Sequence, residues 1–142
     1  MSDTRTTAAS SATPTRRRAY TVVLWTVQIL LAAFFAFASA APKLVGERTA
    51  VETFAQIGAG QWFRYVVGVL ELAGAIGLLV PRLTGLAAIG LMLLTIGAAA
   101  TQTFVLAGPA SAIFPLVLAV VFALLAWARR DTTAALFRRT HR

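Results

Sequence analysis

The sequence contains no cysteine, one histidine and only five acidic side chains among its 142 residues. Without thiols, the chain cannot form disulfides, thiolate zinc sites or iron–sulfur ligands, and it cannot carry out thiol catalysis. His141 lies near the C-terminal end and has no metal-ligating neighbour at a suitable spacing. There is also no nucleophile–base pair and no glycine-rich phosphate loop. These absences argue against a self-contained enzyme.

Hydrophobic residues make up 58% of the chain and charged residues only 13%, which is too apolar for a soluble domain of this length. Helices of about 20 apolar residues cross a bilayer core of roughly 30 Å. The predicted fold is therefore all-α, a polytopic membrane protein built as a bundle of four transmembrane helices. The predicted transmembrane domain covers residues 19–128, with spans at about 19–41, 65–80, 84–107 and 111–128.

The formal net charge of +8 is concentrated at the two ends of the chain. Because these arginines flank apolar spans, they favour contact with anionic lipid headgroups over nucleic-acid binding. Together with Arg82 between spans two and three, they predict that both termini and the connection between these spans are cytoplasmic. Residues 1–18 are predicted to be a disordered basic tail and residues 129–142 a second basic tail.

Span one has features of a secretory signal, because arginines precede it and Ala38-Ser39-Ala40 has the small-x-small pattern of a cleavage site. Its apolar stretch of about 22 residues is nevertheless longer than the roughly 7–15 residues typical of a signal sequence. The favoured interpretation is a retained span. The alternative, cleavage after Ala40, would leave three spans.

The segment between spans one and two is longer than a tight turn. Arg48 and Glu52 lie four residues apart, and apolar or small residues occupy the opposite face. This pattern predicts a short extracytoplasmic amphipathic helix that ends at the glycines of residues 58–60. The helix is either an ordinary connection or a lid over a cavity that opens outward.

Glu71 lies inside the second span and is the strongest candidate for a functional residue. A charged group at the centre of a span costs about 2.5–3.5 kcal/mol on insertion scales, so the face carrying Glu71 is predicted to point inward. Arg64 shares that face, while Lys43 and Gln102 lie at a similar depth on spans one and three. The predicted polar cluster consists of Lys43, Arg64, Glu71 and Gln102. It either sets the register of the helices or binds a small molecule, a quinone or a proton.

Small residues in spans two and three predict close packing of these helices as an antiparallel hairpin, with Pro81 ending span two. On span three the expected packing residues include Gly90 and Gly97. Gln28, inside span one, is expected to form a hydrogen bond between helices. The fourth span lacks glycine and internal polar groups, so much of its surface is expected to face lipid.

The segments APKL at 41–44, FRYVVGVLELAGAIGLLVPRLTGLAAIGL at 63–91 and GAAATQ at 97–102 resemble the DoxX-like family of small bacterial membrane proteins. The resemblance implies a four-helix membrane bundle in the cytoplasmic membrane of a bacterium. Relatives include a subunit of a quinone-linked oxidoreductase and a partner in another oxidoreductase complex. Lys43 and Glu71 stand where the family motif has lysine and glutamate. Many relatives have histidine where this chain has Gln102, which weakens any proton-relay or haem-ligand role at that position.

Three functions follow as hypotheses. The first is a non-catalytic membrane subunit or anchor, with protein partners in a quinone-linked redox complex. The alternative is a bundle that binds a small lipophilic ligand or quinone at the polar cluster. The third is a small proton-coupled transporter, for which four spans without an internal repeat are few unless the chain forms a homo-oligomer.

Overall fold

The computed structural model describes residues 14–106 and 108–140 and contains no strand in these residues. Four helices are long and apolar enough to cross a membrane, at Pro14–Val45, Gln61–Leu79, Thr84–Phe104 and Pro109–Ala128. These helices confirm the predicted all-α, four-span fold. The α-helices are α1 Pro14–Ala33, α2 Ala41–Val45, α3 Arg48–Ile57, α4 Gln61–Leu79, α5 Thr84–Phe104, α6 Ile113–Ala128 and α7 Arg130–Thr140.

Helical structure extends further than the sequence indicated at both ends of the bundle. Residues 14–18, expected to be disordered, form the first turns of α1, while residues 1–13 lie outside the described residues. Pro14 suits the first turn of a helix, and extending an existing helix is far easier than nucleating one. The segment expected as a C-terminal tail forms α7, which packs against α5 at Gly85, where a Cβ would collide with Thr133.

Span one changes its helical geometry in the middle. Phe34–Ala40 forms a π-helical segment, and the N–H of Ala41 bonds to the carbonyl of Ala36, five residues back. Pro42 follows directly, and proline has no N–H and crowds the carbonyl four residues before it in an α-helix. The wider π turn accommodates this proline, so that the helix continues into α2 and carries Lys43 toward α4.

The buried apolar core fills the half of the bundle distant from α3. Leu78, Leu91 and Phe122 are completely inaccessible there, and Phe35 packs edge-to-face on Phe122 with ring centroids 5.3 Å apart. Helix α4 packs on α1 and α5, and α5 packs on α6. The remaining apolar surface of α6 is exposed, which agrees with a helix that contacts lipid.

Helices α4 and α5 pack closely near their short connection. A Cβ added to Gly77 would lie 2.8 Å from Ala87 Cβ, and one added to Gly74 would lie 2.6 Å from the Leu91 side chain. Gly90 and Gly97, by contrast, have no neighbouring atom within 4 Å of the position of a Cβ. The prediction that these two glycines serve helix packing is therefore wrong, since they border open space.

Gln28 is completely buried and meets Arg129, at the end of α6. With its amide oriented to accept, Gln28 lies 3.0 Å from Nη2 and 3.2 Å from Nε of the guanidinium. The expected hydrogen bond between helices is therefore present. It joins the first and fourth spans at the end of the bundle opposite α3.

Candidate functional site

A cavity of about 1040 Å³ occupies the half of the bundle that lies next to α3. All four spans and α3 contribute to its wall, which is mostly apolar. Gly90 and Gly97 of α5 contribute no side chain, so the cavity extends to the surface of that helix. Apolar cavities of about 300–1,000 Å³ with a few polar groups are typical of small-molecule binding sites.

The polar part of the wall is an ion pair between spans one and two. Lys43 Nζ lies 2.9 Å from Glu71 Oε2 and donates a hydrogen bond to Oε1 at 3.2 Å. The side chains of Lys43 and Glu71 are 19% and 10% exposed, respectively. Both residues line the cavity. The pairing supplies the countercharge that a carboxylate needs inside a membrane span.

Gly68 explains how α2 comes close enough to form this ion pair. A Cβ at Gly68 would lie 3.0 Å from Leu44 Cδ2 and 3.2 Å from Lys43 Cβ. Glu71 follows Gly68 by three residues and therefore lies on the same face of α4. The small residue lets the backbone of α4 approach α2, and the approach brings ammonium and carboxylate together.

Ser39 is a further partner of the ion pair that was not among the predicted site residues. Lys43 Nζ donates to the Ser39 carbonyl and to Ser39 Oγ, both at 3.0 Å. The signal was present in the sequence, because residues four apart share a helix face and Ser39 precedes Lys43 by four. With the two carboxylate oxygens of Glu71, four acceptors lie within 3.2 Å of an ammonium that has three hydrogens.

Both oxygens of the Glu71 carboxylate lie beside the Lys43 ammonium. Oε2 is the nearer, at 2.9 Å from Nζ, and Oε1 lies at 3.2 Å. Oε2 is buried. A carboxylate offers about four lone-pair sites, so one ammonium leaves some of them unused.

Arg64 is only 4% exposed, but the structure does not place it against Glu71. Its Nη1 donates to the Lys43 carbonyl, its Nε donates to Gln61 Oε1 at 2.8 Å, and its guanidinium stacks 4.2 Å from the Tyr65 ring centroid. The Lys43 carbonyl is in the last turn of α2, where carbonyl groups lack partners within the helix. Arg64 therefore holds the end of α2 and does not line the cavity.

Gln102 lines the cavity from α5, at some distance from the ion pair. Its backbone carbonyl accepts a hydrogen bond from the N–H of Gly108 at 2.9 Å. Its side-chain amide makes no hydrogen bond to the Lys43 or Glu71 side chains in the structure. Three of the four candidate residues, Lys43, Glu71 and Gln102, thus share one cavity, and their function as a binding site stays a prediction.

Helix α3 lies over this end of the bundle and contributes Thr49, Thr53 and Phe54 to the cavity wall. Phe54 is buried and packs against Phe63 of α4, with ring centroids 5.8 Å apart. Glu47 caps the N-terminus of α3, accepting a hydrogen bond from the Ala50 N–H at 3.2 Å. A backbone hydrogen bond from Thr49 is the main cause that holds the pKa of the Glu47 carboxyl below its ordinary value.

These features define a class of protein: a small polytopic membrane protein whose four spans enclose a cavity with one buried ion pair. The sequence model of the DoxX-like family matches residues 26–128, which include all the site residues described above. The chain belongs to the DoxX-like family. Searches of curated proteins and of solved structures found no match.

Proposed function

We propose that this DoxX-like protein binds a small lipophilic molecule in the cavity beside α3, with the polar head of the ligand at Lys43 and Glu71. The observation that carries this proposal is the ion pair on the wall of a cavity of about 1040 Å³ that is otherwise mostly apolar. Such a combination orients an amphiphilic ligand, because the apolar wall accommodates its body and the polar groups fix its head. A quinone is one candidate class, suggested by the resemblance to proteins of quinone-linked complexes.

An ion pair that serves only to hold the helices together explains fewer features of the site than a ligand-binding role does. Buried ion pairs contribute little net stability compared with well-packed apolar residues, so helix association alone is a weak reason for one inside a membrane. The wall facing the pair is also widened by Gly90 and Gly97, which have no packing partner at the position of a Cβ. Bundle packing favours filling such space with side chains. An open cavity next to an ionisable pair supports a ligand instead.

The proposal is tested by introducing a side chain into the cavity from α5. Gly97→Leu adds a side chain where nothing lies within 4 Å, and leucine favours a helix more than glycine does. The matched control is Ala100→Leu, one turn along α5, at an exposed residue that does not line the cavity. Each protein is extracted gently from its own membrane and examined by native mass spectrometry. Wild type and Ala100→Leu are expected to carry a bound small molecule that Gly97→Leu lacks.

Equal loading of wild type and Gly97→Leu would contradict the proposal. A ligand-free wild type that brings the same protein partner as both variants would instead support the first sequence-based hypothesis, a non-catalytic subunit or anchor of a quinone-linked redox complex. A proton-coupled transporter requires in addition that the cavity opens alternately to the two sides of the membrane. Uptake by vesicles containing wild type but not Gly97→Leu would support that function.

A further inference from the structure

The groups on the cavity wall near the ion pair have already used most of their donor hydrogens. Four oxygens lie within 3.2 Å of Lys43 Nζ, two of Ser39 and two of Glu71, and they share its three hydrogens. A ligand that offers only an acceptor, such as a ketone or a carboxylate, must therefore displace one of these oxygens from the ammonium. The positive charge at this site is consequently a poor anchor for a ligand acceptor.

The threonine hydroxyls on the same wall are also committed as donors. Thr53 donates to the Thr49 carbonyl at 2.8 Å, Thr95 to the Leu91 carbonyl at 3.0 Å, and Thr101 to the Gly97 carbonyl at 2.9 Å. Each hydroxyl oxygen keeps its lone pairs and offers them to the cavity only as acceptors. These threonines therefore add acceptors to the wall but no donors. The Gln102 amide, which also lines the cavity, has donor hydrogens but makes no hydrogen bond to the ion pair.

Glu71 is the strongest of these acceptors. Glu71 is a carboxylate that borders the cavity, and Lys43 occupies only part of its about four lone-pair sites. The terminal torsion of glutamate is soft, so the carboxylate can turn an unused lone pair toward a donor in the cavity while Lys43 stays beside it. Hydrogen bonds to an ionised acceptor are stronger than those between neutral groups.

We propose that the head of the ligand is a neutral hydroxyl group, as in a lipophilic phenol or alcohol, that donates a hydrogen bond to the carboxylate of Glu71. This inference rests on the proposed function of the cavity. Ser39 Oγ accepts from Lys43 and still carries its own hydrogen, so it can donate to the oxygen of the same head. A hydroxyl both donates and accepts, whereas a quinone offers only acceptors and cannot bond to the Glu71 carboxylate as the corresponding hydroquinone can.

A pair of ligands that differ in one hydrogen-bond donor tests the inference. Para-octylphenol and its methyl ether, para-octylanisole, share an aromatic ring and an alkyl chain, but only the phenol has an O–H. Their affinities are measured by titration calorimetry with the full chain in lipid nanodiscs. Empty nanodiscs of the same lipids give the background from partition into lipid. The phenol is expected to bind wild type at least about tenfold more tightly than the ether, since hydrogen bonds to charged acceptors are strong.

Glu71→Gln is expected to reduce this ratio severalfold, because the amide oxygen is a weaker acceptor than a carboxylate. The ratio in wild type decides the question even if this variant does not fold. Equal affinities, or tighter binding of the ether, would overturn the hydroxyl inference and leave the binding cavity in place. If neither compound binds wild type above the background of empty nanodiscs, the proposed function fails together with the inference.

Discussion

At the scale of single residues, Lys43 and Glu71 depend on each other. Each ion is costly to bury, and their mutual attraction offsets the cost only while both are present. Ser39 completes the site by accepting two hydrogen bonds from the ammonium. Because the same pair also lines the cavity, substitutions of these two residues affect both stability and binding.

Removing the lysine alone should therefore destabilise the protein strongly. Lys43→Met leaves the Glu71 carboxylate buried without a countercharge, and broken buried pairs cost about 3–5 kcal/mol. The expected result is a marked fall in the temperature of unfolding in detergent. In the double variant Lys43→Met with Glu71→Leu, both charges are absent and most of the lost stability should return. An unchanged unfolding temperature for Lys43→Met would show that the pair contributes nothing to folding.

At the scale of elements, the site depends on how α2 lies on α4. The π-helical segment accommodates Pro42, Gly68 permits the close approach, and Arg64 holds the last turn of α2 through the Lys43 carbonyl. None of these three local features involves the contact between the Lys43 and Glu71 side chains. Arg64 therefore supports the cavity as a positioning residue, although it does not line it.

Gly68→Leu should separate these two helices. The new side chain would overlap Leu44 and Lys43, which lie 3.0 and 3.2 Å from the position of its Cβ. Overpacking of this kind costs about 1–3 kcal/mol, and the shift of α2 should also lower affinity for the cavity ligand. The control is Ala73→Leu, on an exposed face of α4. If both variants bind para-octylphenol as wild type does, the close approach at Gly68 is not needed for the site.

At the scale of the whole molecule, the sequence predicts the features that follow from solvation and periodicity. The four apolar runs and the inward direction of Glu71 could be predicted, because lipid exposure of charge is costly. The partner of Arg64 and the open space at Gly90 and Gly97 could not. Both depend on which helix surfaces meet in three dimensions, and small residues serve close packing in one place and leave a cavity in another.

The orientation of the bundle in the membrane is the remaining property of the whole molecule that the sequence predicts. The arginine clusters at both ends and Arg82 favour the cytoplasmic side for the termini and for the α4–α5 turn, which places α3 on the opposite side. Because the chain has no cysteine, single cysteines can be labelled without background. Ala59→Cys, in the exposed turn after α3, is expected to react with a membrane-impermeant maleimide in intact cells.

The matched position is Arg82→Cys, which should react only after the membrane is permeabilised. The reverse pattern would place the cavity and α3 on the cytoplasmic side and would show that the arginine distribution does not determine topology here. The two outcomes also differ in the route of the ligand. With α3 outside, a lipophilic molecule reaches Lys43 and Glu71 from the outer half of the bilayer. With α3 inside, the same molecule arrives from the inner half.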